Sequence, residues 1–469
     1  MNIGKEASKL FTSLGASQII YFIATAYFAS ILGPDNIGSF YLFESVLIFT
    51  SIFADLGIKG GIKKRISEDG KNSKEFTSGL MLKSIALLVS SLLLIIFSEF
   101  VTNYIGLNYF PLVLLSVVIF NLYETVLFAI QGEKKIGVSA SMKFINRFVW
   151  AFLGIILIIK IGTAIQYLII SYICGTFLAL LFGLYYLDVG ISIPDRHSFN
   201  SIIDYSKYNL ISSVSGFSFG WLDVAMLGLL VNPTAVGLYE TAWRVTGVIA
   251  IIANAISTTI FPAVSEASSH DRLDKVKEIT SRSLFTSLYL SIPAVVGLIF
   301  ISHEILFVIF GSEYTAAASI LAILAVHKFL LSINAIVGQA LHAINLPSAA
   351  AKASGYSTVT NLFLNYIFIS RYGAIGAAIA TIIAYTLNTL LHYYYLKMYV
   401  NISILSTSIK TSSYSAIVVI LVLFTKEIFD LYTVFGLSIS ITITALFYFG
   451  VTLSSTKIRT NVFGIWNLD

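Results

Sequence analysis

Single charged side chains interrupt several long apolar stretches of this 469-residue sequence. Asp223 and Arg244 lie in two consecutive stretches, and Lys328 lies near the middle of a later one. If such a stretch crosses a membrane, a charge near its centre costs about 3 kcal/mol, so the side chain usually faces a partner or a cavity. Lys328 is therefore a candidate cation for an anionic ligand, or else its side chain extends to the membrane surface. His327 is adjacent, so it points about 100° away and is not expected to face the same cavity squarely.

Asp223 and Arg244 are spaced so that they can meet. Each lies about eight or nine residues from the turn that joins the two stretches, roughly 12 Å along a helix. Glu240 and Arg244 are four residues apart and share a helical face. Two interpretations stay open. One is a gated, ion-sensitive site in which Arg244 holds either a carboxylate or an anionic ligand, and the other is a static salt bridge that locks two helices together.

Other polar residues are further candidates. Glu44 reaches a similar depth in another stretch, and its carboxyl group could take up a proton when it is desolvated. Glu124 and Arg147 are expected to line the cytoplasmic half of the first helices, where Arg147 attracts an anion or simply follows the usual excess of basic residues. Asn361 and Asn365 share a helical face and bind either ligand hydroxyls or a neighbouring helix.

Four more residues are assigned structural or electrostatic positions. Asp55 and Lys59 are four residues apart and are expected to pair at a helix end. Lys83 is expected to be a cation of the cytoplasmic side that could attract an anion or follow the usual basic excess. Trp150 is expected to anchor its helix at the membrane interface, where tryptophan is enriched.

The composition sets the class of protein that must position these side chains. Hydrophobic residues make up 57% and charged residues 11% of the chain, and its mean hydropathy is +0.87. A soluble chain is about 45–50% apolar and about 25% charged. A soluble enzyme, a nucleic-acid-binding protein and a disulfide scaffold are excluded, the last because Cys174 is the one cysteine. The composition indicates an all-α polytopic membrane protein.

Hydropathy and charge predict how the chain crosses the membrane. A helix needs about 20 apolar residues to cross, and by this measure the sequence has about fourteen spans. They lie approximately at 10–32, 37–57, 76–98, 109–131, 144–161, 164–187, 207–231, 235–262, 283–302, 314–343, 347–370, 374–396, 410–425 and 431–453. Basic residues concentrate at both termini and in the connections after spans 2, 4 and 8, and such segments stay in the cytoplasm. Both termini are therefore predicted to be cytoplasmic.

The connections after the first and seventh spans repeat one motif. Pro34 and Gly38 of the first copy match Pro233 and Gly237 of the second at one constant spacing. Such P-x-x-x-G turns are common by chance, but a second, weaker match later in both halves favours parallel repeats that move by alternating access. The predicted parts are a six-helix bundle at 1–200, a second six-helix bundle at 201–397, and two further spans with a cytoplasmic tail at 398–469.

Three groups of residues resemble one known family. They are the hairpin Leu32–Phe40, the segment Asp223–Gly228 and the run from Asn361 to Thr381. These resemble the bacterial polysaccharide repeat-unit flippases of the Wzx type, which export O-antigen and capsule units. They belong to a superfamily that also holds the MATE multidrug extruders and the lipid II flippases.

The resemblance implies a MATE-like fold and a membrane transport function. It implies that the chain moves an undecaprenyl-diphosphate-linked oligosaccharide from the cytoplasmic to the outer leaflet of the bacterial cytoplasmic membrane. Coupling to a H⁺ or Na⁺ gradient is implied, without a cofactor, a metal site or a nucleic-acid partner. Membrane lipids, the polysaccharide polymerase and the chain-length machinery are the implied partners in lipopolysaccharide and capsule assembly.

Three alternatives stay open at this point. A multidrug or metabolite extruder of the same superfamily favours an acidic cavity, whereas Arg147, Arg244 and Lys328 are basic. A lipid II flippase is a closer variant. A membrane enzyme of polysaccharide assembly is disfavoured, because no connection is long enough for a catalytic domain and the sequence lacks P-loop, HExxH and G-x-S-x-G motifs. The chain is therefore predicted not to be an enzyme.

Overall fold

The computed structural model describes residues 3–69, 73–107 and 109–463, and the regular elements in these ranges are all helical. The α-helices are α1 Ile3–Asp55, α2 Ile58–Asp69, α3 Ser73–Ile96, α4 Ser98–Ile105, α5 Phe110–Gly132, α6 Ile136–Lys160, α7 Ile165–Tyr186, α8 Arg196–Leu230, α9 Pro233–Ser269, α10 Leu273–Phe300, α11 Ser302–Phe310, α12 Ala318–Ala343, α13 Pro347–Lys397, α14 Ile404–Ile428, α15 Val434–Leu453 and α16 Thr456–Phe463. A short 3₁₀ helix, Ser312–Ala317, precedes α12. The chain divides into two compact units, residues 1–237 (unit 1) and 238–469 (unit 2).

The helices confirm the all-α polytopic fold. Within the described residues, 11 helices are long and apolar enough to cross a membrane. Two of them each hold two predicted spans, because α1 turns at Gly33 (φ 75°, ψ 169°) and α13 turns at Gly373 (φ 57°, ψ −134°). These positive φ angles suit glycine, which has no Cβ. The predicted seventh span lies within α8. The total of fourteen spans and the division at residues 200 and 397 stay predictions.

The basic connection after the second predicted span is a helix, α2. Ile58, Ile62 and Ile66 recur every fourth residue and are buried in one apolar cluster with Phe76 and Ile202. This spacing gives α2 one apolar face, which packs inside unit 1 and leaves the basic residues on the other side. The connection is thus part of the helical framework.

The two copies of the repeated turn pack against each other within unit 1. A Cβ atom on Gly38 would overlap the backbone carbonyl of Pro233, and one on Gly237 would overlap the carbonyl of Pro34. The two contacts are reciprocal, as in a two-fold interface. Glycine is needed at both positions because the facing backbones approach so closely.

Unit 2 has a continuous apolar core. It is built mainly from α9, α10, α12 and α13, and Leu288, Ile336 and Leu341 are fully buried in it. The helix α10 begins at Leu273, ahead of the predicted ninth span at 283–302, so part of the connection after the eighth span, including Lys275, is helical. Hydropathy marks the apolar part of this helix, whereas the helix itself continues through its polar first turns.

Candidate functional site

Lys328 lies in the middle of α12 and inside unit 2. Its side chain is buried, with 2% of the residue exposed. The ammonium nitrogen lies 3.4 Å from the centre of the Trp243 ring on α9. A cation over the face of tryptophan is stabilised by about 2 kcal/mol when the pair is desolvated. The ammonium group therefore ends on an aromatic face in the protein interior and does not extend to the surface.

His327 contacts the same tryptophan. Its ring stacks on Trp243 with 5.2 Å between centroids and meets Tyr385 edge-on at 4.5 Å. His327 and Lys328 therefore both contact Trp243, and they reach the large indole from two directions. Among the described residues, neither ring nitrogen of this buried histidine has a hydrogen-bond partner. We call Trp243, His327, Lys328 and Tyr385 the aromatic lysine site.

An ion pair lies next to this site on α9. The Nε of Arg244 is 3.4 Å from a carboxylate oxygen of Glu240, and the side chains are 17% and 6% exposed. Residues 240, 243 and 244 are three and four positions apart, so the pair shares a helical face with Trp243. The site thus combines a lysine, an aromatic face and an adjacent arginine–carboxylate pair.

Unit 1 holds a second cation on an aromatic ring. The guanidinium carbon of Arg147 lies 3.7 Å from the centre of the Tyr21 ring. The Tyr21 hydroxyl donates a hydrogen bond to Glu44 over 3.5 Å, and Trp150 lies beside Tyr21 with 5.1 Å between ring centroids. We call Tyr21, Glu44, Arg147 and Trp150 the arginine cluster.

The arginine cluster corrects one prediction. Arg147 lies in the middle of α6, which begins at Ile136. Trp150 is 2% exposed and packs on Phe28 and Phe40, so it is a core residue and not an interface anchor. Ser139, Ser141 and Lys143 lower the hydropathy of the first turns, which is why the predicted span begins too late.

A second group of charges in unit 1 forms two ion pairs. Lys83 contacts Asp55 at 2.9 Å, and both side chains are 4% exposed. Lys59 contacts Glu124 at 2.7 Å. The expected side-chain pair of Asp55 with Lys59 is wrong: Lys59 gives Asp55 only its backbone N–H, and its ammonium group pairs with Glu124. The carboxylate of Asp55 neutralises Lys83, which argues against the interpretation that Lys83 attracts an incoming anion.

Comparison with known proteins places the chain in a family. The model of the family described as polysaccharide biosynthesis protein matches residues 3–268, and the MatE model matches residues 210–367. The chain belongs to the polysaccharide biosynthesis protein family. It is 33% identical over 464 residues to the probable low-salt glycan biosynthesis flippase Agl15 of Haloferax volcanii, covering 99% of this chain and 98% of that protein.

Two further comparisons agree with this family assignment. The chain is 22% identical over 378 residues to a putative O-antigen transporter of Shigella flexneri, covering 77% and 89% of the two proteins. It shares the fold of the lipid II flippase MurJ in an inward closed conformation, with a TM-score of 0.79, 18% identity and coverage of 98% and 99%. A multidrug resistance MATE family transporter in an inward-facing conformation shares the fold with a TM-score of 0.60, 16% identity and coverage of 83% and 97%. The family and the MATE-like fold that the sequence motifs predicted are confirmed.

The remaining predicted site residues are placed as follows in this polysaccharide biosynthesis protein. Asp223 is partly buried on α8 of unit 1, whereas Arg244 belongs to unit 2, so their pairing stays a prediction. The amide of Asn365 donates to Asn361 over 3.2 Å, and Asn361 donates to Thr381 over 3.5 Å. These contacts tie together the two arms of α13, which matches the interhelical interpretation of the asparagines.

Sequence reasoning missed the aromatic partners of both cations. Tyr21, Trp243 and Tyr385 lie in apolar helices, where an aromatic residue is ordinary and carries no signal by itself. The one hint in the sequence is that Trp243 is adjacent to Arg244. Among the described residues, no group of three or more histidine, cysteine, aspartate or glutamate residues is arranged to hold a metal ion.

Proposed function

We propose that this chain is a flippase that moves an isoprenoid-diphosphate-linked oligosaccharide from the cytoplasmic to the outer leaflet of a bacterial cytoplasmic membrane. The family assignment and the flippase names of its relatives support this proposal. The observation that carries it is Lys328, a buried cation on the face of Trp243 in the middle of an apolar helix. Burying a charge in such a helix costs free energy, and an ion pair with an anionic diphosphate head group would offset that cost.

The aromatic lysine site performs the recognition step in this proposal. Lys328 supplies the positive charge for the diphosphate, and Trp243 fixes the position of the ammonium group. The adjacent Arg244 exchanges its carboxylate partner Glu240 for a phosphate oxygen during passage. The arginine cluster, with Arg147, provides a second cation in unit 1. Alternating access of the two halves then carries the head group across, as in other transporters with internal repeats.

A H⁺ or Na⁺ gradient drives the cycle in this proposal. Asp223, Glu44 and Glu240 are the carboxyl groups that take up the ion, because a carboxylate in the membrane interior is the natural ligand for either cation. Both chain termini lie in the cytoplasm. No covalent chemistry is required, and the polysaccharide polymerase and chain-length proteins receive the product in the outer leaflet.

Transport in proteoliposomes tests the proposal. A fluorescent undecaprenyl-diphosphate oligosaccharide is placed in one leaflet, a pH or sodium gradient is applied, and the label that reaches the other leaflet is counted. We expect Lys328→Ala to slow transport by about 2–5 kcal/mol, which is roughly thirtyfold or more, because a buried charge contact is lost. Lys328→Arg should keep part of the activity. Lys352→Ala, at an exposed position, is the matched control.

The other outcomes separate the alternatives. Normal transport by Lys328→Ala would remove Lys328 from the pathway. Export of a cationic dye without movement of any lipid-linked sugar would make the chain an extruder, and selective movement of lipid II would make it a lipid II flippase. Loss of gradient stimulation in Asp223→Asn, with passive transport retained, is the result expected if Asp223 takes up the coupling ion.

A further inference from the structure

A polar cavity lies within unit 2, between α9, α12 and α13. Its volume is about 340 Å³, which is in the size range of small-ligand sites, about 300–1,000 Å³. Its polar lining comes from Asn254, Ser257, Asn334, Gln339, His342 and His392. His342 lies near the end of α12, and its exposed side chain lines this cavity.

The polar lining residues share one chemical character. They are amides, hydroxyls and imidazoles, the other lining residues are small, and no aspartate, glutamate, lysine or arginine lines the described cavity. Such groups both donate and accept hydrogen bonds without a fixed charge. A lining of this kind suits a neutral ligand with many hydroxyl groups and lacks the acidic oxygens that hold a metal ion or the fixed cations that hold a diphosphate.

Two of the lining side chains are held ready for a ligand. The Nδ1 of His392 donates to the backbone carbonyl of Asn388 over 2.9 Å, which fixes the ring and leaves Nε2 as the acceptor of a neutral imidazole. The amide nitrogen of Asn334 is buried and has no hydrogen-bond partner among the described residues. An unsatisfied buried donor costs about 1–3 kcal/mol, and a turn of the amide toward the cavity would let a ligand hydroxyl recover that cost.

A glycine keeps the space between these two side chains open. A Cβ atom on Gly338 would lie 3.4 Å from the His392 ring and 3.7 Å from the carbonyl oxygen of the Asn334 side chain. Any larger side chain at this position projects between the two groups. Asn334, Gly338 and His342 are each four residues apart, so they line one face of α12.

The same helix connects the cavity to the aromatic lysine site. Asn334 follows Lys328 by six residues, about 9 Å along the helix, and His342 lies about 21 Å from Lys328 by the same measure. The oligosaccharide of the proposed substrate is attached directly to its diphosphate. Measured along the helix axis, a diphosphate at Lys328 lies within a few sugar lengths of the cavity, and Asn334 lies about 120° around the helix from Lys328.

We propose that this cavity is a glycan subsite, in which Asn334, His392 and their neighbours bind neutral sugar hydroxyls of the lipid-linked oligosaccharide. This proposal rests on the proposed flippase function and adds the site that recognises the sugar. The end of α12 that carries His342 is predicted to be cytoplasmic, so the subsite meets the glycan when the substrate is loaded.

A cysteine placed in the cavity tests this subsite. Ala351 lines the cavity and is exposed, and Cys174 is the one native cysteine, so Ala351→Cys in a Cys174→Ser background gives a single reporter. The rate of maleimide labelling is measured in nanodiscs. The probes are lipid-linked oligosaccharide extracted from cells that make this protein naturally, and undecaprenyl diphosphate without sugar. Ser455→Cys, also exposed in unit 2, is the control reporter.

We expect the glycan-bearing lipid to protect the reporter and the bare diphosphate lipid not to. Labelling at a lipid concentration of about ten times Kd should slow roughly elevenfold, since the accessible fraction falls as 1 + [L]/Kd. Asn334→Leu should remove this protection while retention of radiolabelled undecaprenyl diphosphate stays unchanged. The control reporter Ser455→Cys should be labelled at the same rate without lipid and with either lipid.

Three results would overturn the subsite. Equal protection by both lipids would make the cavity a lipid or head-group site. No protection by a glycan-bearing lipid that the protein demonstrably retains would place the cavity outside the pathway. Failure of the wild-type protein to retain either radiolabelled lipid would reject the proposed flippase function itself, and the subsite with it.

Discussion

The hydroxyl group of Thr234 donates a hydrogen bond to a carboxylate oxygen of Asp35 over 3.1 Å, and the two residues are 199 positions apart. This separation is the spacing of the internal repeat, so the bond joins equivalent positions of the two copies. Together with the reciprocal contacts of Gly38 and Gly237, it indicates that these turns meet on a local two-fold axis. The repeat detected in the sequence is therefore also a contact in the structure.

This contact predicts the effect of one methyl group. A Cβ atom at Gly38 overlaps a backbone carbonyl, whereas nothing lies within 4 Å of a Cβ atom at Gly220. We expect Gly38→Ala to separate the two turns and to slow transport. The helix content should stay unchanged, because only the close contact between the turns at Gly38 and Gly237 is lost. The measurement is the yield of the disulfide between Asp35→Cys and Thr234→Cys in a Cys174→Ser background. This yield should fall at least about fivefold if the substitution favours the form with separated turns by about 1 kcal/mol. Gly220→Ala is the control, and an unchanged yield in Gly38→Ala would contradict the prediction.

The buried pair of Asp55 and Lys83 predicts a large asymmetry between single and double variants. Asp55→Asn leaves a buried ammonium group without its carboxylate, which costs about 3–5 kcal/mol. Asp55→Leu combined with Lys83→Leu removes both charges and should recover most of that loss. Thermal unfolding in detergent, followed by the fraction of monodisperse protein, measures the difference. Glu68→Gln, which removes the exposed pairs with Lys64 and Arg65, should change the stability far less than Asp55→Asn.

The contact of Lys328 with Trp243 predicts a loss of substrate affinity without loss of charge. Trp243→Leu keeps an apolar side chain in the aromatic lysine site but removes the aromatic face. This should weaken substrate binding by about 2 kcal/mol, roughly thirtyfold. Trp243→Phe should lose less. Binding of undecaprenyl diphosphate in nanodiscs provides the measurement. Replacement of the exposed Tyr356 on α13 is the control, and equal affinity of Trp243→Leu and the wild type would show that the indole does not position Lys328.

A pH dependence is expected at the start of α8. The hydrogen bond from the ammonium group of Lys74, together with the backbone N–H of Ser198, lowers the pKa of Asp195 to about 2 from its ordinary value of 3.8. Because the folded-state pKa lies below the unfolded one, the carboxylate stabilises the folded protein above about pH 4, and this stabilisation disappears as the pH falls toward 2.

The thermal midpoint of Asp195→Asn tests this pH dependence. We expect it to lie slightly below that of the wild type at pH 6, as for an exposed ion pair, and to converge with it as the solution is acidified. Lys74→Gln removes the same interaction and should show the same convergence. A midpoint difference that stays constant from pH 6 to the acid limit would show that Asp195 acts only through its shape at the helix end.

The fold was largely predictable from hydropathy. The predicted span at about 109–131 corresponds to α5 at Phe110–Gly132, and the turns at Gly33 and Gly373 separate predicted spans. Hydropathy measures residence in lipid, so it fails where a helix extends beyond the membrane. The early starts of α6 at Ile136 and α10 at Leu273 are such cases.

The partners of the charged residues were less predictable. Spacing along one helix identified Glu240 with Arg244, since both lie on α9. It could not find Lys83 for Asp55, because that contact depends on how two separate helices are rotated about their axes. Nor could it find the contact of Arg147 with Tyr21, which follows from the packing of α1 against α6.

The buried pair of Asp55 and Lys83 also bears on how the chain enters the membrane during synthesis. If α3 left the translocation channel without α1, the unpaired charge of Lys83 would cost about 3 kcal/mol in lipid. Asp55, at the end of α1, is made first and neutralises that charge once the two helices are side by side. Membrane insertion of the first helices is therefore expected to be sequential, with α1 retained near the channel until α3 arrives and both move into the bilayer as a pair.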